Sequence, residues 1–388
     1  FVNSLRRIIL SNIPAVCFNV RPIETSQMTV YKNNTPFENE FISHRIGLIP
    51  IHLNPDTFDP ADYSFVINKE NPTKDYMEVT SEDIQIIKLS ENRTLTKEQT
   101  RKIFPGDALS GGFIPITKIY PWEDKTMDKP GFHCEGKAIV ANALNNASFK
   151  QTSAVAHSFK IDPELYQRRF QQYIKDQNSE HLRINKILKD YDPEFEEESL
   201  KKTEAEFKRK FDLLEAERCF YQNEDGDPYW FNMLIESIGI YSPIVIFEKG
   251  IEILINKVNT FKGLLENPVD GQLEVTKGYN GMDRAYCIRV YNENETLGNL
   301  IAAHLLKYYV VENPQLSAVG FNRAHPLEKS VMIYLNPLKD KTTDWGVNRD
   351  YIFDTCDRII KVAKDLMVEL QNNHLYKSKM AISKKSKK

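Results

Sequence analysis

Glu40-Phe41-Ile42-Ser43-His44-Arg45-Ile46-Gly47-Leu48-Ile49-Pro50-Ile51 is the stretch on which the reading of this chain turns. Phe37 to Arg45 has helical spacing and runs out at Gly47, and Leu48 to Ile51 reads as a short apolar strand punctuated by Pro50. A glycine at position 47 suits a sharp turn or a close backbone approach. Upstream, Val2, Leu5, Ile8 and Ile9 recur at helical spacing, so a helix is expected over residues 1–12, ending ahead of Pro14 because the residue before a proline disfavours the helical region. A strand over Ala15 to Ile23 and a polar turn at Asn33 and Asn34 lead into the quoted stretch. The helix already reads as interior at Phe1, and a leading segment is expected ahead of it.

Downstream the pattern changes twice. Between His52 and Phe159, short apolar alternations at 63–67, 77–79, 84–89 and 137–141 are separated by Asn-Pro, Asp-Pro, Pro-Gly and Gly-Gly signals, which predicts a β-rich insert. From Asp162 to Arg218, Asp162-Pro163 and Asp192-Pro193 each look like a capped helix start. Tyr166, Phe170 and Ile174 share one helical face, and Leu200, Phe207, Phe211 and Leu214 share another, so two amphipathic helices are expected. A strand over 229–235, a helix over 244–262 opened by Ser242-Pro243, and a linker around Asn267, Pro268 and Gly271 follow. The last segment is α/β: strands over 284–291, 316–321 and 330–335, a helix over 296–309 and a long helix over 351–370.

Composition is that of an ordinary globular protein: 388 residues, 41 % hydrophobic, 27 % charged, net charge −3. Such a balance creates no global field for nucleic acid. The basic run Lys384, Lys385, Lys387 and Lys388 is read as a solvated end. Five scattered cysteines without a CxxC pair argue for a reducing, intracellular compartment and against a disulfide framework or a four-cysteine zinc site. No run is apolar for long enough to span a bilayer.

Asn3-Ser4-Leu5-Arg6-Arg7-Ile8, the quoted stretch at 40–51, Ser153-Ala154-Val155-Ala156, and Phe231 to Gly239 followed by Pro243 together resemble the third-subunit (alpha-like, D-type) assembly group of multisubunit DNA-directed RNA polymerases. Asn294-Glu295-Thr296-Leu297-Gly298-Asn299-Leu300, Ala318-Val319-Gly320-Phe321 and His325-Pro326-Leu327-Glu328 resemble the eleventh-subunit (L-type) group that pairs with it. The resemblance implies an α+β fold with two pseudo-symmetric α/β halves fused in one polypeptide, an arrangement that suggests a large DNA virus as source. On this reading residues 1–51 and 229–263 form the D-type half, 52–159 the insert, 160–228 a helical insertion and loop, 264–275 a linker, 276–375 the L-type half and 376–388 a basic tail.

The function implied is a non-catalytic assembly scaffold of a nucleotidyltransferase complex whose catalytic residues lie on other chains. Its partners would be the second-largest and largest polymerase subunits and small zinc-bearing subunits, with DNA met only through the complex, no membrane and no small-molecule substrate. Localisation would be a cytoplasmic viral factory or a virion if the source is viral, otherwise the nucleus. Leu5, Ile8, Ile9, Phe41, Leu297, Leu300, Ile301 and Leu305 are expected at the pairing interface; burying such side chains is worth about 1.5–3 kcal/mol each before entropy is subtracted. Arg6, Arg7, His44 and Arg45 are expected to dock the partner subunit, arginine suiting that role because its planar fork binds carboxylates bidentately; the alternative for Arg45 is an internal salt bridge, and for His44 a structural histidine. Thr296 is expected to cap the helix that follows it. Some members of the third-subunit group hold zinc or an iron–sulfur cluster on insert cysteines; here the insert offers only Cys134 beside His133, and no metal or cofactor is expected. Glu224-Asp225-Gly226-Asp227 reads as a turn rather than a magnesium site, and residues 106–112 lack the Lys-Ser/Thr ending of a phosphate loop. The competing reading is an independent nucleic-acid-binding protein that uses the basic tail and the helical insertion.

Overall fold

In the computed structural model, residues 1–124, 126, 128–191, 204–323 and 325–373 are described. The expected helix start at Asp192-Pro193, Leu200 and the basic tail lie outside the described residues. The class is α+β, and the chain divides into two compact units: one takes Asn3–Val155 and the chain from Ile235 onward, the other Ala156–Leu234.

The larger unit opens with α1 (Val2–Ser11), β1 (Ala15–Phe18), β2 (Met28–Asn33) and α2 (Asn39–Gly47). There follow β3 (Tyr63–Glu70), β4 (Met77–Thr80), β5 (Ile84–Lys88), β6 (Arg93–Thr94), α3 (Lys97–Ile103), β7 (Pro115–Ile119), β8 (Gly131–Gly136), β9 (Ala138–Ala141) and β10 (Thr152–Phe159). An antiparallel sheet in the order β2-β8-β3-β5-β6 forms the main layer, while β1 pairs with β9 and β4 with β7. The apolar residues of α2 cover this sheet: Ile42 and Ile46 join Val16 and Phe18 in one core with Phe65, Ile67, Ile86 and Phe104. Phe18 meets Phe65 edge-on at 5.1 Å. The β-rich segment therefore does not close a core by itself; the quoted helix closes it. Gly47 permits this, because a Cβ there would lie 2.5 Å from Val20 Cγ2. The close approach is thus to a side chain, not to another backbone. Leu48 to Ile51, expected as a strand, is irregular, and Ile49 and Ile51 drop into the same core as single side chains. Helix α3 was not anticipated from periodicity, although Thr96 and Gln99 form a reciprocal cap at its start.

In the smaller unit α4 (Pro163–Tyr191) starts where Asp162 Oδ1 accepts from the amides of Glu164 at 2.9 Å and Leu165 at 3.3 Å. Its Phe170 packs with Phe207, Phe211 and Cys219, and α5 (Glu204–Leu214) supplies the two phenylalanines. Leu214, placed on that face by its spacing, is exposed. β11 (Phe231–Ser237) pairs with β10, and each of these strands is divided between the units, β10 after Val155 and β11 after Leu234.

The larger unit resumes with α6 (Pro243–Glu266), opened by Pro243 in its first turn behind Ser242. The linker expected over 264–275 is irregular over residues 267–272 only: α6 runs through Gly263 to Glu266, because Phe261 and Leu265 on its buried face outweigh one weak helix former, and β12 (Leu273–Tyr279) takes up the far end. β13 (Met282–Tyr291), α7 (Glu295–Leu306), β14 (Leu316–Asn322), β15 (Ser330–Pro337) and α8 (Trp345–Asn372) complete the chain. The four strands form an antiparallel sheet in the order β12-β13-β15-β14. Ile288, Val290, Val331, Ile333 and Leu335 fill its buried face, against which α7 packs at Gly298, where a Cβ would lie 2.6 Å from Val331 Cγ2. The cap of α7 is Asn294, whose side chain accepts from the Thr296 amide at 2.9 Å; Thr296 itself is buried. The sequence placed the cap two residues late because Asn and Thr both favour that role.

Two glycines of α6 face opposite environments. A Cβ on Gly250 would lie 2.5 Å from Ile9 Cγ1 and 3.4 Å from Leu5 Cδ1, whereas one on Gly263 would meet nothing within 4 Å. Gly250→Val is expected to destabilise by about 1–3 kcal/mol through overpacking, and Gly263→Ala to stabilise by about 0.5–1 kcal/mol through helix propensity. Urea unfolding of the two variants, read as midpoint shifts of opposite sign, checks this.

Candidate pairing interface

The interface is assembled on α6. Seven of its residues are buried, Ile246, Gly250, Ile251, Leu254, Val258, Phe261 and Leu265, a row with helical period. Leu5, Ile8 and Ile9 of α1 are each no more than 2 % exposed, and the hollow over Gly250 seats two of them. The stripe on α1 therefore packs on α6. Leu297, Leu300, Ile301 and Leu305 of α7 are all buried. Leu297 shares a cleft of about 370 Å³ with Lys257, Phe261 and Leu264 of α6. Helix α8 runs antiparallel to α6: Gln371 Nε2 lies 3.4 Å from Glu248 Oε1, and Lys262 Nζ lies 2.7 Å from Asp357 Oδ1.

Charged groups rim these apolar rows. Arg7 lies 3.7 Å from Glu295, which also receives Arg323 at 2.9 Å. The Glu295 carboxyl is held below the usual range by its own backbone N–H first, then by Arg323 and Arg7. Lys257 Nζ reaches both oxygens of Glu293, at 2.6 and 2.7 Å, in a largely shielded position. The sequence marked Leu5, Ile8, Leu297 and Leu300 by their spacing but did not mark Gly250, Lys257, Lys262, Glu293 or Asp357. Gly250 was detectable, since it sits four residues from both Ile246 and Leu254 in an apolar row.

The other sequence-singled residues lie elsewhere. Phe41 is 48 % exposed and its ring packs against Phe37 at 4.9 Å, so it sits outside the buried rows. Arg45 lies over both rings, 5.8 Å from Phe37 and 6.0 Å from Phe41, and donates to the Pro115 carbonyl at 2.8 Å. This bond to a backbone carbonyl ties α2 to β7. His44 is half-buried on the last turn of α2, and Arg6 donates to Asn3 Oδ1 at 3.0 Å. Phe37, Phe41 and Arg45 thus make a small aromatic and cationic patch on α2 and the residues just before it.

Chemistry-bearing groups elsewhere have structural roles. Burial pushes the Cys17, Cys134 and Cys356 thiols up to about 12, and Cys134 belongs to the main core. Asp225 and Asp227 lie in a tight turn, with Gly226 at φ +85° and the Asn223 side chain accepting from the Asp227 amide at 2.7 Å. In the 106–112 loop the Asp107 carboxylate accepts from the Leu109 and Ser110 amides, occupying donors that a phosphate would need. Among the described residues no group of three or more His, Cys, Asp or Glu is arranged to hold a metal ion, and no helix is long and apolar enough to cross a membrane.

His304, on α7, contacts the Leu300 carbonyl through Nδ1 at 2.8 Å. Its pKa lies below the ordinary 6.5, chiefly because burial disfavours the cation; the charge of Lys307 adds to this, and the Leu300 bond opposes it. His52 is lowered by burial too. A histidine lowered in the folded state stays neutral while the unfolded chain takes up a proton. Its stability contribution is complete above about 6.5 and is lost as pH falls from there through the folded value. Urea midpoints are therefore expected to fall between about pH 7.5 and about pH 5.5, and His304→Gln to reduce that slope while leaving the His52 part.

Sequence comparison agrees with this architecture. The chain is similar to the DNA-directed RNA polymerase subunit Rpo3 of Methanocaldococcus jannaschii (28 % identity over 106 residues, 25 % of this chain and 51 % of the relative) and of Thermoplasma volcanium (26 % over 190 residues, 45 % and 60 %). It is similar also to DNA-directed RNA polymerase II subunit rpb3 of Dictyostelium discoideum (24 % over 170 residues, 42 % and 50 %). The chain spans about half to 60 % of the length of these relatives. The RNA polymerase Rpb3/Rpb11 dimerisation domain matches residues 1–258, which takes in α1, the quoted α2 stretch and most of α6, and the chain belongs to that family.

Proposed function

We propose that this chain is a non-catalytic assembly subunit of a DNA-directed RNA polymerase in which the two members of the usual assembly pair are fused. The D-type half comprises residues 1–51 and 229–263, carries the 52–159 segment, and is interrupted by the 160–228 insertion; the L-type half comprises residues 276–375. The observation that carries this reading is the packing of α6, from the family-matched part, on α8 from the part that follows it. The Thr296-Leu297-Gly298-Asn299 start of α7 and its placement over β14 and β15 support assigning the second half to the eleventh-subunit type. Fusion makes the pairing intramolecular, at an effective concentration on the order of millimolar. The fusion, with the Asn-, Ile- and Lys-rich usage, also supports a large DNA virus as source.

The scaffold acts by positioning: it presents a preformed surface so that another chain's catalytic carboxylates are correctly held. The patch of Phe37, Phe41 and Arg45 is the surface assigned to the second-largest subunit. Exposed aromatics and an arginine already fixed by a backbone bond suit an interface centre, since little rotamer freedom remains to be lost on binding. Arg6 and His44 flank that role, Arg7 serves the seam, and the largest and small zinc-bearing subunits complete the expected partners.

Affinity purification of the tagged protein from its native source is expected to recover two very large polymerase subunits. Phe41→Ala with Arg45→Ala is expected to weaken recovery of the second-largest subunit by about tenfold or more, which corresponds to about 1.4 kcal/mol. Recovery of the chain without polymerase subunits under mild salt would remove the proposal.

A further inference from the structure

In the smaller unit three short stretches lie side by side. Ile161 bridges Phe220, Gln222 bridges Pro228, and the Lys160 amide donates to the Trp230 carbonyl at 2.9 Å. Side chains alternate across extended stretches of this kind. Phe159, Phe220 and Phe231 gather on one side, with Phe159 at 4.7 Å from Phe220 and 5.4 Å from Phe231. Lys160, Tyr221 and Trp230 stand on the other. There Tyr221 stacks on Trp230 at 5.2 Å, and Lys160 Nζ lies 6.0 Å from the indole centroid. Tyr229 joins them, 6.1 Å from Tyr221, with the two ring planes open at 53°. Tyr229 is 59 % and Trp230 49 % exposed, so this row is a platform and not a core. One bridged pair beyond the tyrosines, the chain turns through Glu224, Asp225 and Asp227. The turn is pinned by the Asn223 amide on the Asp227 carbonyl at 2.9 Å and by the Gly226 amide on the Asn223 carbonyl at 3.1 Å. Among the described residues no basic side chain pairs with these three carboxylates; Arg218, the cation before them in the chain, is taken by Glu215 at 3.2 Å.

We infer that this platform binds a proline-rich segment of another protein in the polyproline II conformation, with a lysine or arginine of that segment seated on the acidic turn. A polyproline II segment has no internal hydrogen bonds and arrives already ordered, so it is recognised by flat rings and the notches between them. The opening between Tyr221 and Tyr229 is such a notch, and the Tyr221–Trp230 stack gives it a rigid wall. Tyrosine and tryptophan present large apolar area on few rotatable bonds, so little freedom is lost on binding. Charge then decides the class of partner. A single-stranded nucleic acid also stacks on aromatic rings, but it needs a basic groove along its phosphates. Here one lysine stands against three carboxylates that lack cationic partners, so a polyanion is repelled and a cationic peptide is drawn in. The inference concerns the smaller unit alone and does not rest on the reading of the chain as a polymerase subunit.

The test uses the full chain and fluorescence anisotropy with labelled probes. These are a proline–leucine peptide with an arginine at each end, the same peptide with a glutamate at each end, the arginine-ended peptide with glycine and serine in place of proline, and oligothymidylate. The arginine-ended proline peptide is expected to bind saturably at micromolar concentration, and each of the other three at least about tenfold more weakly. Trp230→Ala and Tyr229→Ala are each expected to weaken the first peptide by about tenfold. Glu224→Gln with Asp225→Asn is expected to remove the preference for arginine over glutamate ends while binding still requires proline. If Trp230→Ala fails to fold, Tyr229→Ala carries the same prediction, and the charge variant, which alters only exposed groups, is read independently of both. The inference is overturned by lack of saturable binding of the arginine-ended proline peptide, by equal binding of the glycine–serine peptide, or by tighter binding of oligothymidylate. An unchanged affinity in Tyr229→Ala, or an unchanged end preference in the charge variant, overturns it as well.

Discussion

The contact between α6 and its neighbours is the constraint on which the larger unit depends. One helix of 24 residues buries a row that includes Ile251, Leu254, Val258 and Phe261, and at Gly250 it leaves room for Ile9 and Leu5 of α1. Helix α8 has its own buried row, Ile352, Cys356, Ile359, Ile360 and Ala363, and lies antiparallel to α6. Neither amphipathic helix would be stable alone in water with those rows exposed. The sheet of the back half needs α7 over its apolar face, and α7 in turn contacts α8, so the order of the last third of the chain is tied to the same packing.

Magnitudes separate what holds this seam from what directs it. Each buried leucine, isoleucine or phenylalanine contributes about 1.5–3 kcal/mol of transfer free energy before entropy is subtracted. An exposed ion pair contributes about 0.2–1 kcal/mol, so the Lys262–Asp357 and Arg7–Glu295 pairs, each with a side chain more than two-fifths exposed, add little to affinity. Apolar burial is indifferent to orientation and to partner, whereas charge is not. A seam that is apolar in its middle and charged at its rim therefore takes most of its stability from the middle.

Much of this was legible in the sequence, for a reason that also sets the boundary. Periodicity reports which face of an element is buried, and so α1, α4, α6 and the interior of α8 were readable, as were the Asp162 cap and the Pro243 start. Periodicity does not report what covers that face. The pairing of β2 with β8 joins residues about a hundred positions apart, and nothing in either strand names the other; the β-rich segment therefore looked self-contained although α2 closes its core. β12 went unread because Glu274, Thr276 and Lys277 dilute its apolar alternation, although Asn280-Gly281, both at positive φ, marks the hairpin that joins it to β13. The candidate interface divided along the same line. Its leucines and isoleucines announced themselves by spacing, whereas Lys257 and Glu293 are ordinary charges until the fold brings them together.

The register of α6 against α8 shows how closely the two parts of the chain are aligned. Fourteen residues separate Glu248 from Lys262 on α6, and the same number separates Asp357 from Gln371 on α8, so the two contacts hold one antiparallel register. At 1.5 Å per residue that span is about 21 Å. A slip by one helical turn would break both contacts at once and carry the buried row off its seat, so the alignment is cooperative rather than a sum of local choices. The six residues between Glu266 and Leu273 deliver the back sheet directly from the foot of α6. A short connection of that kind makes the intramolecular partner the one met first, and the shared register of the two helices seats it once met.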